Sequence, residues 1–275
     1  MKKRDSQKAI ELLENKGLTF KQLQEMLEVR TTKNPTIIRG RRTKRFKLGV
    51  VSDTHLVDKG CALSELHRFY ELCKKSGVRD VVHAGDMFTG LGSVYKGQIN
   101  DLVCFGFDDH MKYVVENYPN VKGVHTYFIG GNHDEDYKKV AGIDIGRALA
   151  DKRADLTYLG LYDATIVLNG VSIGLHHGDG GNAYAISYKL QKFIEKIGAG
   201  QKPQIYILGH YHGSFYMFYR NIHAFLPGCW QKPNDFSVRA GFPNMIGGYI
   251  LDMDVADDER HSITEMRITY VPFYD

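Results

Sequence analysis

Gln204-Ile205-Tyr206-Ile207-Leu208 runs directly into Gly209-His210-Tyr211-His212-Gly213. The first five residues form a short apolar run of the kind that makes a buried strand. The next five place two imidazoles between glycines, where the backbone can turn tightly and the side chains have room. Four more apolar runs end in the same way. Phe46 to Ser52 ends in Asp53-Thr54-His55, and Asp80 to Val82 leads to His83-Ala84-Gly85-Asp86. Val124 to Ile129 ends in Gly130-Gly131-Asn132-His133-Asp134, and Val171 to Leu175 enters His176-His177-Gly178-Asp179. Five strand ends carrying carboxylate, amide or imidazole, four of them next to glycine, are hard to assign to packing.

Between these runs the spacing predicts helices over 62–76, 102–117, 144–152 and 183–197. Strand and helix alternate through the first half, which predicts a sheet wound with crossovers. The pattern then changes. Asn169-Gly170 separates two short apolar runs and predicts a tight hairpin. Arg220-Asn221 does the same between 215–219 and 222–226. Two late strands are expected at about 246–253 and 265–271.

Ahead of this body lies a basic stretch. Residues 1–47 hold 14 Lys and Arg against 5 Asp and Glu, whereas the remainder is mildly acidic. Residues 6–15 and 19–29 read as two amphipathic helices around a turn at Asn15-Lys16-Gly17, the outline of half a helix-turn-helix module. Residues 30–47 contain eight basic residues and no acid, broken by Pro35 and Gly40. The expected organisation is a basic helical head and linker over 1–45 and a catalytic body over 46–275. Arg39, Arg41, Arg42, Lys44 and Arg45 are candidate phosphate contacts, each adding affinity and salt dependence. The alternative for the head is a docking hairpin, and for the charge run a solvated linker. The four cysteines form no CxxC pair, which argues against a zinc ribbon or a disulfide framework and fits a reducing cytoplasm. No run reaches the ~18–20 apolar residues of a membrane span. The expectation is a cytoplasmic protein with no membrane partner.

The strand ends together offer Asp53, His55, Asp86, Asn132, His133, His177, His210 and His212. Carboxylate, imidazole and amide without thiolate suit manganese, iron or zinc. Such a set exceeds the needs of one catalytic ion. Two ions about 3.5–4 Å apart can grip the attacking and leaving oxygens of a phosphoryl group.

Asp53-x-His55, Gly85-Asp86, Gly131-Asn132-His133-Asp134, His177-Gly178 and Gly209-His210-x-His212 resemble the five ordered blocks of the calcineurin-like metallophosphoesterase superfamily. The resemblance covers roughly residues 46–275. It implies an α/β fold, a four-layer α/β/β/α sandwich of two mixed sheets. It further implies two divalent ions, with manganese foremost and iron or zinc as alternatives. Asp53, His55, Asp86 and His212 would hold one ion. Asp86 would bridge to the second, held by Asn132, His177 and His210. A bridging hydroxide would attack phosphorus while His133 assists the leaving oxygen. Asp134 would orient His133 and favour its charged form. The family places its ligand directly before the glycine, which selects His177 over His176.

The Asp-Arg-Gly of protein Ser/Thr phosphatases is missing after Asp86, and Asp134 rather than Glu follows His133. These features are more similar to the branch of repair exonucleases and polymerase small subunits. The expected activity is therefore a phosphodiesterase or nuclease acting on a phosphoester substrate such as DNA or RNA. The alternatives are a phosphomonoesterase or small-nucleotide phosphodiesterase with a docking head, and a non-catalytic replication accessory protein. Substrate contacts are expected from three loops. These are Thr89, Tyr95 and Lys96 after the second block, Asp179, Asn182 and Tyr184 after the fourth, and Gly228 to Gln231 with Trp230. Tyr211 could stack on a base or simply pack.

Overall fold

The computed structural model describes residues 36–37, 43–241, 243–258 and 261–274. The two helices expected in the head, and Arg39, Arg41 and Arg42, lie outside the described residues. Among the described residues, twelve strands form two six-stranded sheets. The first sheet takes the order β12-β11-β2-β3-β4-β5. Here β2 (Arg45–Val51), β3 (Asp80–Ala84), β4 (His125–Ile129) and β5 (Leu156–Gly160) run parallel, while β11 (Gly247–Val255) and β12 (Ile263–Pro272) close the edge antiparallel. The parallel strands β2–β4 are Val/Ile/Phe-rich and buried on both faces, as crossover strands must be. Helices α1 (Leu63–Lys75), α2 (Phe107–Asn117), α3 (Asn132–Ala141) and α4 (Ile145–Ala150) make the crossovers.

The second sheet takes the order β1-β6-β7-β8-β10-β9. It comprises β1 (Thr36–Ile37), β6 (Asp163–Leu168), β7 (Val171–His177), β8 (Ile205–Gly209), β9 (Ser214–Tyr219) and β10 (Ile222–Pro227), with α5 (Ile186–Glu195) outside it. A last helix, α6 (Asp235–Ala240), follows β10. Both hairpin turns form as their sequences require. Asn169 and Gly170 have φ of 52° and 86°, and Arg220 and Asn221 have 51° and 61°. Two successive positive φ values give the turn whose twist matches paired strands.

Three apolar layers glue the sandwich. Leu48, Val50, Val82 and Ile129 from one sheet meet Ile166, Ile173, Ile207 and Phe225 from the other between the sheets. Phe69, Tyr70, Val114, Phe128 and Tyr137 pack α1–α3 on the outside of the first sheet. Leu190 and Ile194 of α5 pack on Tyr206, Leu208 and Ile222 outside the second. The four-layer α/β/β/α expectation is met. The register also brings β2, β3, β4, β7 and β8 to one edge, so their C-terminal ends meet there, where open α/β sheets hold their ligands.

Three local expectations are corrected. The helix expected from 102 begins only at Phe107, because Leu102 is drawn into a bridge with Asp58. Helix α3 was not foreseen at all. Arg45, expected to meet phosphate, instead forks onto Asp252: Nε donates to Oδ1 at 2.7 Å and the second amino group donates to Oδ2. The β2–β11 register sets Arg45 opposite Asp254, and its side chain reaches diagonally to Asp252, the cross-strand partner of Lys47. Lys44 is exposed.

Candidate metal centre

The strand ends deliver their polar residues by left-handed backbone. Asp53, His55, Asp86, His210 and His212 have φ of 53°, 44°, 55°, 87° and 53°. Each such non-glycine residue is strained by about 1–2 kcal/mol. The packed strands beneath supply the stability that holds these five residues. The turns fold each side chain back over the sheet edge, so residues far apart in sequence converge.

Two groups of donors result. Asp53, His55 and His212 form one, and Asp86, His177 and His210 the other; within each, the donor atoms lie within 4.8 Å of one another. A third set, His55, Asp86 and His133, joins them. His55 Nε2 lies 3.2 Å from His212 Nε2, and Asp86 Oδ2 lies 3.0 Å from His177 Nε2. Asn132 Oδ1 stands 3.1 Å from His177 Nε2 and 2.9 Å from His210 Nδ1. Donors about 2.0–2.2 Å from a shared ion are themselves roughly 3–3.5 Å apart. The buried His55 Nδ1 finds no partner among the described residues. Nitrogen and oxygen donors, close-set and without thiolate, fit borderline divalent ions. The structure thus brings all seven expected ligand residues together. His176 points away and packs on Phe193, with ring centroids 4.6 Å apart.

The electrostatics are those of a site made for cations. Burial pushes the Asp86 carboxyl up, but His177 and His133 outweigh it and hold it well below the usual carboxylate range. Burial likewise opposes the charge on His177, yet Asp86 beside it raises the imidazole to about 9. Burial, aided by His133, drives His55 well below its ordinary value, so it stays neutral and able to donate a lone pair. Helix α3 adds its positive end: its first turn carries Asn132 and His133, and the His133 backbone N–H donates to Asp86 Oδ1 at 2.9 Å. An anion at a helix N-terminus is favourable.

Glycine is demanded where α3 meets the cluster. A Cβ on Gly131 would lie 2.2 Å from Asp86 Oδ1 and 2.8 Å from His177 Nε2. Gly131 itself is extended (φ −152°), so the requirement is space rather than conformation. Gly131→Ala is therefore expected to fold and to lose about 10–100-fold in ion affinity, checked by competition with a metal indicator alongside a thermal melt.

His133 is oriented differently from expectation. Its Nδ1 donates to the Thr89 carbonyl at 2.6 Å, which turns Nε2 into the cleft, 3.9 Å from Asp86 Oδ2. Asp134 does not do this. Its buried carboxylate accepts from the Met87 and Phe88 backbone N–H groups at 3.2 and 2.9 Å and so clamps the loop after Asp86. Burial, with Asp86 nearby, pushes that carboxyl up to about 8.

A cleft of about 260 Å³ opens over the donors. Tyr95 lines it as expected, together with Gln231 from the Gly228–Gln231 loop. Asn182, Tyr184 and Tyr211 line a neighbouring hollow of about 210 Å³ instead. Tyr211 is packed, and its hydroxyl donates to the Asp179 carbonyl at 2.9 Å. Thr89 and Trp230 are fully buried and leave the list of substrate contacts. Thr89 Oγ1 donates to the His55 carbonyl at 2.8 Å, and the Trp230 ring packs on Phe69 and Phe273. Sequence reasoning missed Asn234, Ser237 and Gln98. Asn234 and Ser237 form a capping box on α6, a spacing visible in the sequence. Gln98 shows no such signal; its buried amide donates to the Thr89 carbonyl at 2.6 Å, beside His133.

The sequence model of the calcineurin-like phosphoesterase superfamily domain matches residues 46–241. No curated protein matches the chain. Among solved structures it is similar to an archaeal phosphodiesterase (17% identity, 82% of this chain and 100% of that one, TM-score 0.45). It is also similar to Yfce, a phosphoesterase from E. coli (18% identity, 81% and 98%, TM-score 0.40), and to Zn²⁺-complexed Vps29 from Entamoeba histolytica (12% identity, 83% and 100%, TM-score 0.42). Among the described residues, no helix is long and apolar enough to cross a membrane.

Proposed function

Because this chain belongs to the calcineurin-like phosphoesterase superfamily and is a metal-dependent phosphoesterase, we propose that it hydrolyses phosphodiesters with two divalent ions. Asp53, His55, Asp86 and His212 would hold one ion; Asp86, Asn132, His177 and His210 would hold the other. The observation that carries this reading is the pair of three-donor groups, linked through the set in which Asp86 meets His55. When bound, such ions supply Lewis acidity and lower the pKa of water near neutrality. Manganese is the ion we favour.

The protein's own residues do the rest. Asp86 spreads one negative charge across both positions. His133, tied at Nδ1 to the Thr89 carbonyl, presents Nε2 to the leaving oxygen and hands it a proton. No Lys or Arg is among the described residues lining the cleft. A monoanionic diester therefore suits it better than a dianionic monoester, which would call for further cations. Nucleic acid is the diester we favour, on the strength of the basic stretch before the body.

The test is metal content and paired turnover. Two ions per chain after Mn²⁺ loading are expected, with bis-p-nitrophenyl phosphate cleaved faster than p-nitrophenyl phosphate. His133→Ala should lose more on alkyl than on p-nitrophenyl leaving groups, because only the former need the proton. Single-stranded DNA and RNA should be cut, and more slowly when Arg39, Arg41 and Arg42 become Gln. A single ion per chain, or faster turnover of the monoester, would sink the reading.

A further inference from the structure

Asp58 is a buried acid that the reaction does not use. It is 3% exposed. Its Oδ1 accepts from the Gly60 backbone N–H at 2.7 Å, and its Oδ2 accepts from Gln231 Nε2 at 2.7 Å. A carboxylate paired in this way can only accept, so it fixes which end of the Gln231 amide faces it. The nitrogen is held at Asp58, which leaves Oε1 as the end of the amide not engaged there, in a residue that lines the cleft. The backbone on both sides is pinned, by a bridge between Cys61 and Gln231 and by the Asn244 amide donating to the Gln231 carbonyl at 2.9 Å.

The other polar groups on this wall are committed to one another. Tyr95 Oη donates to Asp101 Oδ2 at 2.8 Å and accepts from Asn234 Nδ2 at 3.1 Å. Asn234 Oδ1 accepts from the Ser237 backbone N–H at 2.8 Å. The Tyr95 ring stands edge-on to His133 at 6.4 Å between centroids. This wall is thus the one beside His133, where the leaving alcohol departs. It offers the substrate an oriented acceptor and, among the described lining residues, no Lys or Arg.

We propose that Gln231 Oε1 accepts a hydrogen bond from a hydroxyl carried by the leaving alcohol, and that Gln231, positioned by Asp58, selects diesters whose leaving alcohol bears a hydroxyl next to the ester oxygen. The inference rests on the phosphodiesterase reading above. The shared chemistry is a vicinal hydroxyl. A ribonucleoside leaving through its 3′ oxygen supplies one as the 2′-OH, and a glycerol ester supplies one as its neighbouring alcohol. A second phosphate on that side would meet an acceptor backed by a carboxylate and is disfavoured.

Two matched pairs of substrates test this with the full-length, Mn²⁺-loaded protein: a ribodinucleotide with its deoxy counterpart, and a glycerol methyl phosphodiester with its propyl counterpart. The readout is the ratio of kcat/KM within each pair. One neutral hydrogen bond predicts a ratio of roughly three- to tenfold in favour of the hydroxyl. A preference in the ribose pair alone assigns a nucleotide, and in the glycerol pair alone a glycerol ester; either supports the proposal.

Gln231→Leu should bring the ratio to about one. Because that change leaves a buried carboxylate short of a donor, Asp58→Asn provides an independent check. An amide there still accepts from Gly60 but donates to Gln231, which must turn over and present its NH₂ to the cleft. The hydroxyl then meets a donor in place of the acceptor, and the ratio should shift from its wild-type value. A merely structural Asp58 would change stability or kcat for both members of a pair equally and leave the ratio alone. Equal rates within both pairs, a ratio that survives Gln231→Leu, a ratio that Asp58→Asn leaves unmoved, or no turnover of any of the four esters by protein that cleaves bis-p-nitrophenyl phosphate would each overturn the proposal. Failure on bis-p-nitrophenyl phosphate itself would instead strike the phosphodiesterase reading.

Discussion

Asp86→Asn is expected to lower kcat/KM for bis-p-nitrophenyl phosphate by on the order of 10³-fold and to leave fewer than two ions per chain. The substitution is isosteric. The amide oxygen can still accept from the His133 backbone N–H, now 2.9 Å from Oδ1, so helix α3 should keep its place. What disappears is the charge. Asp86 is 1% exposed and faces His55, His133, His177 and His210. It is one of two carboxylates in the donor groups, and it alone is shared with both His55 and His177. Without it, two dications would sit in a buried site with only Asp53 to neutralise them. Inductively coupled plasma analysis and turnover, measured on the same preparation, check the result. Two tightly held ions with near-normal kcat would show that Asp86 does not bridge.

How much of this was legible in the sequence depends on what kind of signal each part carries. The strands were readable because β2, β3, β4 and β8 are largely apolar runs that end in polar residues, next to glycine in all but β2. The hairpins were readable because Asn169-Gly170 and Arg220-Asn221 can take two positive φ values in succession. The convergence of Asp53, His55, Asp86, His177, His210 and His212 was inferred from block order, and the fold supplies its mechanism in five left-handed residues at the strand ends. Left-handed backbone at Asp53 or His212 cannot be read from residue type, because Asp and His usually avoid it.

Helix α3 was missed for a related reason. Asn132, His133, Asp134 and Asp136 are poor helix formers, and Tyr137 is the only large apolar side chain it buries. Its quieter markers were present: Asp134 and Glu135 in the first turn, Lys138 and Lys139 in the last, and Gly142 beyond. They complement the helix dipole and cap its end. The role that the resemblance implies for Asp134 is not met, because its carboxylate is taken up by the Met87 and Phe88 backbone N–H groups. In the first turn of a helix, neighbouring side chains diverge by about 100°. His133 therefore reaches the Thr89 carbonyl while Asp134 turns to the loop after Asp86.

Ion affinity is expected to climb steeply with pH, by up to tenfold per unit for each proton displaced, and to level off near pH 9. The cause is competition for one lone pair. His177 Nε2 lies 3.0 Å from Asp86 Oδ2, and that carboxylate raises the imidazole to about 9 although burial opposes the charge. An ion can use Nε2 only after the proton leaves. Below pH 9 each unit of acid makes that loss harder, so affinity falls as pH falls. Between pH 7 and pH 9 one proton corresponds to about 100-fold. His212, also raised well above its ordinary value against the effect of burial, adds a second. The sign for the ion-free fold is opposite. An imidazole raised in the native state contributes stability fully below its unfolded value of about 6.5 and loses it as pH rises through about 9. Chelated protein should thus melt lower at pH 9 than at pH 6.5, while Mn²⁺ adds most to the melting temperature at the alkaline end. Calorimetric titration in buffers of different ionisation enthalpy counts the protons released. His177→Asn should remove one of them and flatten the slope by about one log unit per pH unit. An unchanged slope in that variant would mean that His177 carries no proton that the ion must displace.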